Sequence, residues 1–323
     1  MAKPYPDKIV YIKRSGSTVI DKNIYLYGFS IATMRLESKI SQLTTLLILS
    51  IIWGSSFILM KKGLESFSNI QVAALRIFFS FLFVLPFIIR NIKILSGKNI
   101  PSLVIVGILG FAIPAFLFTK AETRISSSLA GMLNSLTPLF TLIVGLTLYK
   151  CRTRWISIAG VLTGLIGATG LVLQDGFGML KGINGHALLV VLATLSYGTN
   201  INEIKYKLQD LNSLQITSLS LLFVGPVAGI YLLFSNLDSN IRTEDSFINL
   251  GLIAILALFG SVIAVLLFNH LLKFTSTLFA SSVTYIIPIF AILWGISDGE
   301  SIRAIQLIWI GVILLGVYLV NRQ

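Results

Sequence analysis

From Leu43 onward, stretches of about twenty apolar residues alternate with short polar spacers. Ten such stretches fall at 43–61, 70–89, 101–120, 126–149, 155–174, 184–203, 212–234, 247–269, 275–297 and 303–321. An α-helix rises 1.5 Å per residue, so about 20 residues cross a hydrocarbon core of ~30 Å. The pattern therefore predicts an all-α membrane protein with ten transmembrane helices. The spacers leave no room for a soluble domain, and glycine and proline inside the runs are tolerable because neighbouring helices re-satisfy freed backbone groups. Residues 1–42 differ. They carry Lys3, Lys8, Lys13, Arg14, Lys22, Arg35 and Lys39, and their apolar run over residues 24–32 is too short to span a bilayer or to form a signal-peptide core. They read as a basic cytoplasmic tail, partly disordered, in which Met34 is an alternative start to Met1.

The pattern repeats. The stretch SSSLAGMLNSLTPLFTLIVGLTLY over 126–149 returns 150 positions later as STLFASSVTYIIPIFAILWGIS, setting Ser126 on Ser276, Ala130 on Ala280, Pro138 on Pro288, Phe140 on Phe290 and Gly145 on Gly295. The same offset sets Gly110 on Gly260, Phe118 on Phe268 and Lys120 on His270. An offset of 144 matches Trp53-Gly54-Ser55 with Tyr197-Gly198-Thr199, and Gln71 with Gln215. Two copies of one unit are expected, 43–174 and 183–321. Each copy holds five runs, an odd number, so the second must lie upside down relative to the first. Two inverted five-helix repeats are the plan of secondary transporters, with a site near the midplane between them.

Composition narrows the class. The chain is 55% hydrophobic and 12% charged, with a mean hydropathy of +0.88, too apolar to cover a soluble globule. Its net charge of +12 does not signal nucleic acid, because the Lys and Arg residues sit in spacers rather than on a soluble basic face. Alternate spacers hold Arg90, Lys93, Lys98, Lys150, Arg152, Arg154, Lys205, Lys207, Lys273 and Arg322, opposed only by Glu203 and Asp210. The other spacers mix both signs. This excess, with the basic tail, places the N- and C-termini in the cytoplasm of a multi-pass protein of the cell (inner) membrane. A lone cysteine, Cys151, rules out an internal disulfide, and two histidines without cysteine partners offer no zinc set. No metal and no cofactor is expected.

Several segments together resemble the EamA family of the drug/metabolite transporter (DMT) superfamily: IIWGSSFILMKKGL in the first run, the arginine of LRIFFSFLFVLP, the paired proline helices, GVLTGLIGATGLVL, and GISDGESIRAIQLIWIGVILLGVYLV. The resemblance covers about residues 43–320. It implies a ten-helix transporter of small metabolites, such as amino acids or related compounds, working in efflux across a bacterial cell membrane. One departure stands out. The family often places a glutamate between the last two helices of each half; Glu300 fills that place in the second half, whereas Lys150 stands there in the first.

Candidate site residues follow from polar and aromatic side chains inside the runs. Arg76 is the basic residue well inside a run, and a charge at the membrane centre costs about 2.5–3.5 kcal/mol. It either snorkels to the outer headgroups or ties helices together, or it meets an anionic group of the substrate. Asn134, Ser135 and Thr137 precede Pro138, and Thr284 and Tyr285 precede Pro288. Each proline frees the carbonyl four residues back, Asn134 or Thr284, which reads as a kink satisfied by a neighbour or as a cavity wall. Both prolines are candidate hinges. Trp53 and Phe57, and Tyr197 and Asn200, share helix faces at related places and either flank a cavity or pack. The candidate substrate-binding set is Trp53, Phe57, Arg76, Asn134, Tyr197, Asn200 and Tyr285. Gly160, Gly164 and Gly167 form a small-residue face for close helix approach. No carboxylate stands clearly inside a run, and Glu203 and His270 lie at inner helix ends, so proton coupling is not expected.

A transporter of a small-molecule substrate, embedded in the lipid bilayer and compatible with a homodimer, is the resulting expectation. Uptake, or transport of a lipid-linked compound, is the alternative within the class. From another class, Gly54-Ser55-Ser56 resembles the glycine-serine signature of intramembrane serine proteases, with His270 as base. The two sit at ill-matched depths, a serine beside a glycine is common packing material, and no Walker loop or zinc-protease motif is present. The chain is therefore read as a non-enzyme.

Overall fold

The computed structural model describes residues 25–26, 29–30, 38–173, 185–235, 237, 244–297 and 304–321. Met34, Glu300 and the basic residues of the tail up to Arg35 lie outside the described residues. Met1–Arg35 and Leu36–Gln323 form separate compact units. The described part of the first is a small antiparallel ladder, β1 (Tyr25–Leu26) and β2 (Phe29–Ser30), pairing Tyr25 with Ser30 and Leu26 with Phe29.

The second unit is helical. Its first half contains α1 (Lys39–Ser66), α2 (Asn69–Asn91), α3 (Ile100–Glu122), α4 (Ser127–Thr147) and α5 (Trp155–Leu173). Its second half contains α6 (Gly185–Lys207), α7 (Ser213–Phe234), α8 (Glu244–Phe274), α9 (Thr277–Ser281 and Val283–Ser297, parted at Ser282) and α10 (Ala304–Asn321). Among the described residues, eight helices are long and apolar enough to cross a membrane; the shorter apolar stretches Trp155–Gly167 and Gly311–Val320 belong to α5 and α10. Large apolar side chains such as Leu47, Ile89, Trp155, Leu233 and Phe234 stand exposed, as suits a chain whose outer solvent is lipid. Small hydroxyl side chains are buried instead, most of them bonded to their own helix. Ser50 donates to the Leu46 carbonyl at 2.7 Å, Ser80 to Arg76 at 2.7 Å and Thr141 to Thr137 at 2.8 Å.

The residues matched between copies perform the same local tasks. Ser68 and Gln71 form a reciprocal capping box at the start of α2, and Asn212 and Gln215 do so at the start of α7. Ser126 caps α4 by accepting from the Leu129 amide at 3.2 Å, and Ser276 caps α9 through the Phe279 amide at 3.1 Å. Helix pairings obey the same exchange. α1 packs on α9 as α6 packs on α4, α1 on α8 as α6 on α3, while α2 pairs with α7 and α5 with α10. Two glycines matched by the 144 offset permit close crossings. A Cβ on Gly54 would lie 2.6 Å from the Cβ of Phe290, and one on Gly198 would lie 3.0 Å from the Cβ of Phe140. The glycine face of α5 meets α10 at Gly160 and Gly167 and meets Tyr285 at Gly164.

The helices depart from regular α geometry at four places, two of them near the prolines at which a kink was expected. α3 carries a π-helical segment at Gly107–Ala112 and α8 carries one at Leu256–Ile263. The 150-residue offset sets these segments on each other. α4 tightens into a 3-10 turn at Asn134–Leu136 immediately before Pro138, and α9 is parted at Ser282, six residues before Pro288. Apolarity alone does not distinguish these hydrogen-bond registers, which is why the residue pattern is silent about them. At the end of α4, Lys150 takes a φ of 50°, the left-handed region that L residues with side chains rarely occupy. On the side of the bundle holding the C-terminal end of α6, Lys205 donates to the carbonyls of Leu272 and Thr275, both at 2.7 Å, satisfying the end of α8.

Candidate functional site

α1, α2, α3, α4, α6, α8 and α9 surround one cavity, which encloses about 1020 Å³ of empty space including the part open to solvent. Both copies build it, and they build it alike. Phe118 faces Tyr197 with ring centroids 6.1 Å apart, and Phe268 faces Trp53 at 5.4 Å. The repeat offsets relate each member of one aromatic pair to a member of the other. Gly110 lies so close to Asn200 that an added Cβ would sit 2.9 Å from its carboxamide, and Gly260 stands in the same relation to Ser56 at 2.8 Å. Both glycines belong to the π-helical segments. A π turn displaces a backbone carbonyl from its usual partner, and the carbonyl of Gly260 is taken by Trp53 Nε1 at 2.9 Å.

Six of the seven residues singled out from the sequence line this cavity: Trp53, Phe57, Arg76, Asn134, Tyr197 and Asn200. Arg76 is half-buried and turns inward. Its Nε donates to Ser261 Oγ of α8 at 2.8 Å, and Tyr197 lines the same cavity. It thus ties α2 of the first copy to α8 of the second. A guanidinium has five N–H donors, so this bond leaves donors for a further acceptor. Asn200 Oδ1 and Asn269 Oδ1, both in lining residues, have no hydrogen-bond partner in the protein.

Tyr285 is a correction. It is not among the residues lining the cavity; its side chain is fully buried, packs against Gly164 and donates to the Val161 carbonyl of α5 at 2.9 Å. The cavity wall at this turn is Thr284. The phenol is long enough to reach α5, whereas the serine at its repeat position, Ser135, stays between α4 and α9. The carbonyls freed by the two prolines are both satisfied. Asn134 O accepts from Thr137 Oγ1 at 2.8 Å within α4, and Thr284 O accepts from Ser135 Oγ of the other copy at 3.1 Å. These interrupted turns are also cavity wall, since Asn134, Thr137 and Thr284 line the cavity.

Other lining residues went unrecognised in the sequence. Phe118 and Phe268 matched at the 150 offset, and that signal was sufficient to place them. Ser261 was visible as a lone hydroxyl in an apolar run, but only the π segment of α8 explains its direction. Glu122 is a second correction. It falls past the 101–120 run, in the spacer that follows, yet it closes α3, is only 6% exposed, and neither carboxylate oxygen has a hydrogen-bond partner in the protein. The charges acting on it are those of Arg76 and Lys61. Ser56 lines the cavity and donates to the Ile52 carbonyl at 2.9 Å, whereas His270 is not among the lining residues and its ring contacts Phe274 at 5.1 Å. The structure does not assemble these two into a nucleophile and base.

The chain is similar to known proteins. An uncharacterized inner membrane transporter, YedA, of Escherichia coli (strain K12) is 27% identical over 300 residues, covering 89% of this chain and 93% of that protein. An uncharacterized transporter of Archaeoglobus fulgidus is 26% identical over 273 residues, covering 84% and 95%. The S-adenosylmethionine/S-adenosylhomocysteine transporter of Chlamydia trachomatis serovar L2 is 24% identical over 282 residues, covering 84% and 86%. One solved crystal structure superposes with a TM-score of 0.65 at 16% identity, over 87% of this chain and 96% of its own, which establishes likeness of fold. The apolar helices and these relatives make the chain a multi-pass membrane transporter. The model of one family matches twice, at residues 41–173 and 185–322, once for each copy of the repeat, and the chain belongs to that family, the EamA-like transporter family.

Proposed function

We propose that the chain is a secondary transporter with ten spans in two inverted five-helix repeats, exporting a small carboxylate-bearing metabolite of the amino-acid class or a related one. The observation that carries this reading is the jointly built cavity into which Arg76 points. Arg76 supplies the planar donor fork for a carboxylate. Trp53, Phe57 and Tyr197, with the two phenylalanines facing them, hold the apolar body of the substrate, and Asn134 and Asn200 supply polar contacts. A relative named as a transporter of S-adenosylmethionine and S-adenosylhomocysteine supports this chemistry, because both compounds carry an α-amino carboxylate. The matched helix pairings support alternating access, in which one copy rocks against the other about the breaks near Pro138 and Pro288. Both termini lie in the cytoplasm, on the side favoured by the basic spacers.

The test compares metabolites in cells and medium for wild type, Arg76→Ala and Arg76→Lys at matched abundance in the membrane. Carboxylate-bearing compounds should accumulate in the medium with the wild type, fall at least tenfold with Arg76→Ala, and recover only in part with Arg76→Lys, which lacks the fork. Wild-type export by both variants would leave Arg76 as a helix tie alone.

A further inference from the structure

Among the described residues two glutamates are buried, Glu203 and Glu122. Glu203 accepts a hydrogen bond from the Tyr149 hydroxyl. Glu122 has no donor on either oxygen. A buried carboxylate without donors is costly to keep, and inside a membrane such groups are retained where their charge is used. The nearest use is Arg76: Phe118, one helical turn before Glu122, lines the cavity together with Arg76, and the last part of α3 packs against α2, so the two charges act on each other. This combination of residues belongs to one copy only. The 150 offset sets Glu122 on Leu272, and the 144 offset sets Arg76 on Ser220. The repeat therefore did not require this pair for folding, since Leu272 and Ser220 serve the same framework in the other copy.

We propose that Glu122 is a proton site linked to the cavity: a carboxylate that takes Arg76 as its counter-ion brings one proton from solvent onto Glu122, so that anion and proton are carried together. This rests on the reading of Arg76 as the anion-binding group. Ionised Glu122 repels an anion placed at Arg76, and protonation removes the repulsion. By the reciprocity of linked binding, the anion equally favours the proton. The neighbours of the last turn of α3 are few. α1 brings Lys61, which is half-exposed and therefore screened by water, and beyond it Lys62, paired with Glu65 at 2.8 Å. α2 brings Arg76, and α6 brings Tyr197, with His186 at its start. Lys120 and Arg124 flank Glu122 in the chain, and the first turns of α4 carry no titratable side chain.

The linkage has a defined signature. One proton bound with each anion makes affinity fall up to tenfold for each unit of rising pH where Glu122 titrates. The experiment is titration calorimetry of the full chain in lipid nanodiscs, with propionate and L-alanine as carboxylate probes, in buffers of different ionisation heat. The difference between buffers counts protons taken up. Uptake approaching one proton is expected in the wild type and in His186→Ala, and none in Glu122→Gln, whose affinity should not vary with pH. Binding without uptake in the wild type, or uptake that persists in Glu122→Gln, overturns the proposal. Arg76→Ala separates the two readings: equal probe binding there overturns the anion role of Arg76, and failure of both probes to bind the wild type overturns that role and the linkage together.

Discussion

Removing the Ser135 hydroxyl isolates the contact that joins the two proline-broken helices. Pro288 has no amide hydrogen, so the Thr284 carbonyl loses its intrahelical partner and accepts from Ser135 Oγ at 3.1 Å instead. Ser135 is fully buried, so Ser135→Ala leaves that carbonyl unpaired. The general penalty for such a group is about 1–3 kcal/mol, while hydrogen bonds measured in a membrane protein average ~0.6 and reach ~1.7 kcal/mol. The burial places this case at the upper end of the second range, about 1–2 kcal/mol, or roughly a tenfold shift in the folding equilibrium. In a Pro288→Ala background the new amide at 288 satisfies Thr284, and Ser135→Ala should cost little. The assay is a double-mutant cycle on reversible unfolding of purified protein in mixed micelles. The expected coupling is about 1 kcal/mol or more. Additive effects within ~0.3 kcal/mol would refute the claim that this serine replaces the hydrogen bond that proline removes.

Three further outcomes follow from particular contacts. Tyr285→Phe loses the bond to Val161 and should destabilise the fold by about 1–2 kcal/mol while transport per folded molecule stays unchanged; a selective loss of transport would return Tyr285 to the substrate path. Gly54→Ala places a methyl 2.6 Å from Phe290 Cβ and 3.2 Å from the Ile287 carbonyl, so α1 and α9 must part, at a cost of about 1–3 kcal/mol in the same unfolding assay, and an unchanged stability would contradict that crossing. Fusion of a reporter active only outside the cell after Gln323 should be silent, and Cys151 should resist an impermeant thiol reagent applied to intact cells; an active reporter would invert the topology.

Hydropathy located the helices because a helix in lipid must be apolar along its whole length, and the duplication was legible because close crossings at Gly54 and Gly198 and helix caps at Ser126 and Ser276 demand particular residue types. What escaped was a matter of direction. The repeat predicted a cavity position for Tyr285, but its repeat partner is a serine, and the longer side chain carries its hydroxyl to α5. Glu122 sits between Lys120 and Arg124, so it reads as a spacer residue; the helix runs two residues past the expected end, and packing against α1, α2 and α6 closes over it. The π segments change which carbonyls face the cavity without changing hydropathy. Arg76 was visible as a charge in an apolar run, yet only the position of Ser261 shows that it turns inward rather than toward headgroups.

The central claim is that one cavity between the two copies opens alternately to the two faces of the membrane. The most direct measurement places a single thiol in that cavity, Ser56→Cys with Cys151→Ser, and follows its reaction with an impermeant reagent in right-side-out and in inside-out vesicles. Alternating access predicts reaction from both faces, with a transported substrate slowing both. Reaction from one face only, unchanged by substrate, would contradict the account.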